Sequence, residues 1–223
     1  MQTKQILFIL VLAILSAVSF GLDCSGLKSA STFAAIASST ITNTGPTKIN
    51  SNIGVSPGTA VTGFPPGILT GNKYTGDATA ALAIAQVATF FSQLTPSSAC
   101  TYLSNLSNLV LTPGTYCFTT SATLAGTVVL NGLGKSDPIF VFITGTTLIV
   151  GSGSNVTMIN GATPSHTYWN VGTSATLGVD SNFNGIIYAH AAITADAGAN
   201  VNGKLFAGTA ITFNDNNLAS CAC

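Results

Sequence analysis

The sequence predicts an all-β solenoid: a parallel β-helix of triangular cross-section, interrupted by one long α-helix. Three observations predict it. An 18-residue internal repeat runs through the C-terminal third of the chain. Much of the rest divides into short β-branched or aromatic segments, such as 139–143, 146–150 and 185–189, bounded by Gly, Asn, Asp and Ser. One stretch, 77–94, carries helical spacing instead.

The repeat is explicit in the residues. Shifted by 18, Asn182-Phe183-Asn184-Gly185 falls on Asn200-Val201-Asn202-Gly203, and Ile187-Tyr188-Ala189 falls on Leu205-Phe206-Ala207. Thr176, Thr194 and Thr212 form one column; Thr173, Ala191 and Thr209 form another. A fixed period near twenty, with Gly and Asn at the turns, is the mark of a solenoid. Eighteen residues divide into three short strands plus corners, each coil stacking on the next at about 4.8 Å. Inward positions take aliphatics and Phe, and outward ones take Thr, Ser and Asn. In 77–94, Leu82, Ile84, Ala85, Val87, Ala88, Phe91 and Leu94 supply the apolar positions. Asp77 is placed to cap the N-terminus, and Pro96 lies just past the end.

Composition narrows the function. The 223 residues include six Lys, no Arg, six Asp and no Glu, so charged residues make up 5%, against about 25% in ordinary soluble domains. Six scattered lysines cannot build the basic face that a nucleic-acid binder needs, so no nucleic-acid partner is expected. The start of the chain reads as a secretory signal over 1–21: Lys4, an apolar run over 6–18, and Ala17-Val18-Ser19 as a small-residue cleavage site. A 13-residue apolar stretch is too short to span about 30 Å of hydrocarbon. The reading is therefore a secreted, extracellular chain with one domain over 22–223 and no membrane partner after cleavage. That mature chain has five Lys against six Asp, a net charge of −1.

Five cysteines in an oxidising compartment should pair and leave one over. Cys100 with Cys117 is the local bridge, and Cys24 with Cys221 or Cys223 would tie the two ends together. Asn105-Leu106-Ser107 and Asn155-Val156-Thr157 are N-glycosylation sequons for a chain secreted by a eukaryotic cell.

The Thr columns belong to a wider pattern of a small residue and a Thr three apart. It reads Ser39–Thr42, Thr59–Thr62, Thr120–Thr123, Thr144–Thr147, Thr173–Thr176, Ala191–Thr194 and Thr209–Thr212. Any one of these is an ordinary solvated strand residue. Stacked on one face, the set makes a flat, uncharged grid of methyl and hydroxyl groups, ordered in advance because Thr is stiff at χ1. Methyls discourage ordinary hydration while hydroxyls and backbone groups hold a few waters in place.

Other chemistries are poorly supplied. β-Helix lyases and hydrolases need close carboxylates, or a calcium site with a basic residue. With no Glu or Arg, the candidates reduce to Asp180, Asp196, Asp215, Lys204, His166 and His190. Asp180 and Asp196 are 16 apart, so the 18-residue register does not stack them, and each reads as a turn residue. No enzyme, cofactor or metal is expected. A secreted adhesin or carbohydrate-binding module would normally show aromatic platforms. Trp169 is the single Trp, and a coil interior suits it better than an exposed site.

Five landmarks resemble the large microbial ice-binding (antifreeze) protein family. They are Asn43 through Gly67, Leu111-Thr112-Pro113-Gly114-Thr115-Tyr116, Thr167 through Thr176, Phe183 through Ala189, and Asn202-Gly203-Lys204-Leu205-Phe206-Ala207. The resemblance implies a discontinuous right-handed β-helix in which the N-terminal strands fold back beside the C-terminal coils and one α-helix lies along a face. It also implies adsorption of a monomer to an ice crystal surface through one flat face, using Thr59, Thr62, Thr144, Thr147, Thr173, Thr176, Thr194, Thr209 and Thr212. Departures from the family pattern are Ala191 within a Thr column, Lys204 where the family often carries Arg, and the five cysteines.

Overall fold

A computed structural model describes residues 24–223; the signal segment read at 1–21 lies outside them. The chain winds into a parallel β-helix with three faces. One face, here the threonine face, stacks Ala122–Leu124, Leu148–Val150, Ala175–Leu177, Ile193–Ala195, Ala210–Asn214, Thr40–Thr44 and Ala60–Thr62 in that order. A helix-side face stacks Thr101–Tyr102, Gly114–Phe118, Phe140–Thr144, Thr167–Val171, Asn182–Ala189, Asn200–Ala207, Phe33–Ala37, Asn52–Val55 and Lys73–Thr75. The third, bare face runs from Val110–Leu111 through Thr127–Asn131 and Asn155–Ile159 to Asn217–Ala219, Lys48–Ile49 and Ile68–Leu69. The 18-residue repeat is realised residue for residue: Asn182 through Ala189 pairs in register with Asn200 through Ala207. These two long strands bend from the bare face to the helix-side face at Gly185 and Gly203.

The spatial order is not the chain order. Residues 33–75 build their coils beyond the last C-terminal coil, with Thr40–Thr44 beside Ala210–Asn214 and Lys48–Ile49 beside Asn217–Ala219. The chain must then return to the far end, and α1 (Ala78–Phe91) carries it there. Its 14 residues rise about 21 Å, close to the roughly 24 Å of five strand steps from Lys73–Thr75 to Thr167–Val171. Asp77 caps α1 as expected, accepting from the Ala80 amide at 2.8 Å. At its other end, Asn170 Nδ2 donates to Leu94 O at 2.9 Å, tying helix to sheet. The buried face of α1 is rotated from the sequence expectation: Ala80, Ala83, Val87, Phe90 and Phe91 face in, while Leu82 is 54% exposed. Small Ala side chains let the helix approach closely, and Phe90 and Phe91 meet Tyr168 and Tyr188 with ring centroids 5.2–5.3 Å apart. Trp169 is fully buried inside the coils, stacked on Phe142 at 3.8 Å, and its indole N–H donates to Asn184 O.

One disulfide fastens the end of the return path and another ties the two chain ends together. Cys100–Cys117 holds the segment after α1 to the first coils, and Cys24–Cys223 joins residues 199 apart; Cys221 is the free thiol. Lys204 stitches the seam where the N-terminal segment meets the C-terminal one. It is 1% exposed, and its ammonium donates to Ser31 O (2.6 Å), Phe33 O (3.3 Å) and Ser220 Oγ (2.8 Å). Burial holds its pKa below the ordinary lysine value. Lys204→Met should therefore lower stability by about 2 kcal/mol, because acceptors lose their donor in a closed site. Lys204→Arg should recover much of the loss, and urea unfolding of both variants checks the pair.

Candidate functional site

Most strands on the threonine face are three to five residues long, so alternation leaves the central residue pointing out between two inward neighbours. Ala122 and Leu124 are buried around exposed Thr123, and Ile193 and Ala195 are buried around Thr194. The register stacks the outward residues in one column: Thr123, Ile149, Thr176, Thr194, Thr212, Thr42 and Thr62. Six steps of about 4.8 Å make this column roughly 29 Å long.

A second column runs along the corner three residues earlier. It contains Thr120, Thr146, Thr173, Ala191, Thr209 and Ser39, linked amide to carbonyl from coil to coil at 2.7–2.9 Å. Thr59 holds the same offset ahead of Thr62. The hydroxyls also bond to one another. Thr42 Oγ1 donates to Thr212 Oγ1 at 3.3 Å, Thr147 Oγ1 donates to Ser121 Oγ at 2.8 Å, and Ser121 Oγ lies 3.0 Å from Thr146 Oγ1. Every residue of both columns is uncharged. The groups with displaced pKa values are all off this face: Tyr188 and Cys221, both raised by burial, and Lys204.

Of the nine sequence-predicted residues, the structure brings seven together. Thr62, Thr176, Thr194 and Thr212 stand in the central column; Thr59, Thr173 and Thr209 stand at the corner. Thr144 and Thr147 do not join them. Thr144 ends a helix-side strand, is 3% exposed, and donates to Thr146 O. Thr147 is half-buried between the columns and spends its hydroxyl on Ser121. That motif is two residues out of register, and Thr146 and Ile149 hold its places. Thr42, Thr120, Thr123 and Ser39 were outside the predicted set. The signal that finds the central column is a Thr between two inward-facing residues, as in Ala122-Thr123-Leu124 and Ile211-Thr212-Phe213. Thr144→Val should cost about 1 kcal/mol for the lost hydrogen bond and leave surface function intact, whereas Thr146→Tyr should impair it; a binding assay on both variants tests the register.

Asp180, Asp196 and Asp215 fall at one corner of three successive coils, joined by Asp180 N to Ala197 O and Gly198 N to Asp215 O, while His166 and His190 lie elsewhere. Asp180 and Asp215 occupy left-handed corners, φ 52° each, their amides donating to Ala197 O and Thr44 O of neighbouring coils. His166 pairs with Asp137 at 3.1 Å between two loops, and His190 Nε2 contacts Asn170 Oδ1 at 3.1 Å. Among the described residues, no three His, Cys, Asp or Glu side chains gather closely enough to hold a metal.

Comparison with known proteins agrees with the fold. An ice-binding protein of Nostoc sp. (strain HG1) is 39% identical over 97% of this chain and 83% of its own length. One from Flammulina populicola is 28% identical, over 94% of both chains. The crystal structure of an ice-binding protein from the Antarctic ascomycete Antarctomyces psychrotrophicus superposes with a TM-score of 0.85 at 35% identity, covering 88% of this chain and 98% of that one. The profile of one family, described as Ice-binding-like, matches residues 35–219, and the chain belongs to that family.

Proposed function

We propose that this protein is a secreted monomer that adsorbs to ice through the threonine face, inhibiting ice growth and recrystallisation. The observation that carries the reading is the central column of six Thr and one Ile, flat, uncharged and in register over seven strands. Each rung presents a methyl that resists ordinary hydration. Beside it, on the six Thr rungs, a hydroxyl anchors water at a position fixed by the backbone. Waters held at the strand repeat can merge with a crystal lattice of matching spacing. The grid is rigid beforehand, so adsorption costs little rotamer entropy. Ice then grows only between bound molecules, where the forced curvature of the surface disfavours further freezing.

The relatives are named ice-binding proteins, and the separation of His166 and His190 from the Asp-bearing corner supports a binding role in place of catalysis. No cofactor enters this mechanism, and because neither column contains a titratable side chain, adsorption should vary little with pH while the protein stays folded. The test is a single ice crystal grown in the purified mature protein. A faceted crystal and a gap between freezing and melting are expected; round discs, grown in protein shown to be folded, would overturn the reading.

A further inference from the structure

The two sequons are placed very differently by the fold. Asn155 stands in the paired strand Asn155–Ile159, with Thr127 on one side and Asn182 on the other. Its side chain is held at both ends: Nδ2 donates to Gly153 O at 3.0 Å, and Oδ1 accepts from Asn182 Nδ2 at 2.9 Å. Carrying a sugar there would disturb a ladder that runs across three coils.

Asn105 lies in the segment that closes one end of the stack. Leu103, Leu106 and Leu109 turn inward there, with Leu106 fully buried. Their segment is tied to all three faces, by Leu103 N to Cys117 O (2.9 Å), Leu106 N to Thr123 O (2.8 Å) and Asn108 N to Thr127 O (2.8 Å). Asn105 points the other way and is exposed. Its Oδ1 accepts from Ser107 N, and its Nδ2 reaches only the neighbouring Ser104 Oγ, at 3.4 Å.

This same end is where pairing runs out. Thr101–Tyr102 and Val110–Leu111 are the outermost strands of their faces, and Tyr102 and Val110 are 61% and 64% exposed. Unpaired strand edges beside exposed apolar side chains invite end-to-end association of two copies.

We propose that Asn105 is the N-glycan acceptor of this chain in a eukaryotic secretory pathway, that Asn155 stays bare, and that the glycan shields the outer strand edges at this end of the stack. In the transfer, Asn105 Nδ2 bonds to the anomeric carbon of a lipid-linked oligosaccharide. The bond from that carbon to the lipid pyrophosphate breaks, and one amide proton is released; no oxidant or reductant is needed. The proposal rests on the secretory reading and is independent of ice adsorption.

The test secretes the full chain from yeast cells and measures intact mass before and after peptide N-glycosidase treatment. One glycan is expected, lost in Asn105→Gln and in Ser107→Ala, and kept in Asn155→Gln. Sedimentation of the secreted wild type and of Asn105→Gln then reads self-association, which should rise with concentration only in the variant. A secreted chain with a bare Asn105, or one with sugar on Asn155, overturns the assignment. A glycan on Asn105 with no change in sedimentation overturns the shielding role. Failure to enter the secretory pathway overturns the signal reading, and this proposal with it.

Discussion

Thr194→Tyr is expected to reduce the freezing–melting gap several-fold while leaving the protein folded. Thr194 is the fourth of seven rungs, with three outward residues on either side along the column. A phenol ring there stands above its neighbours and holds a flat crystal plane away from the other rungs. The backbone position is an ordinary outward strand site, so stability should change by no more than about 0.5 kcal/mol. The gap and the urea midpoint, measured on the same preparation, separate the two effects. A full gap in a folded Thr194→Tyr variant would move the binding site to another face.

Gly203→Ala is expected to be among the most damaging single methyl additions, lowering stability by more than about 4 kcal/mol or preventing folding. An added Cβ would meet the Gly185 carbonyl oxygen, a backbone atom of the next coil, with no flexible side chain to give way. Both glycines sit where the long strands turn the edge between two faces, and coil spacing there is fixed by the ladder. Gly153→Ala is the matching control. Its φ of 64° is left-handed, but nothing lies within 4 Å of an added Cβ, so it should cost about 1–2 kcal/mol in backbone strain. Urea unfolding of the two variants distinguishes contact from strain. Comparable losses would mean that the coils can separate at Gly203.

Much of this architecture is legible before any coordinates. The pairing of Asn182 through Ala189 with Asn200 through Ala207 can be written down from the residues because those coils carry no insertions, so period and register coincide. The caps of α1 are local, and Asp77 was readable for that reason. The Cys100–Cys117 bridge closes a short loop and needed no knowledge of the fold. Elsewhere the period slips. Thr123, Ile149 and Thr176 are adjacent rungs although 26 and 27 residues separate them, since loops at 132–139 and 160–166 lengthen their coils. A motif search without the register therefore took Thr144 and Thr147 in place of Thr146 and Ile149.

By itself, then, the sequence determined the repeating coil, the single helix and the uncharged, hydroxyl-rich surface. Each follows from spacing and side-chain chemistry within one or two coils. Only the tertiary structure decided which threonines share a face, because Thr42 and Thr212 are neighbours across 170 residues of chain. It also decided which side of α1 is buried, through Phe90 and Phe91 reaching Tyr168 and Tyr188, and that Cys223 rather than Cys221 pairs with Cys24. Those choices depend on where the N-terminal coils dock against the C-terminal ones. That docking is a long-range packing event, and local propensity carries no record of it.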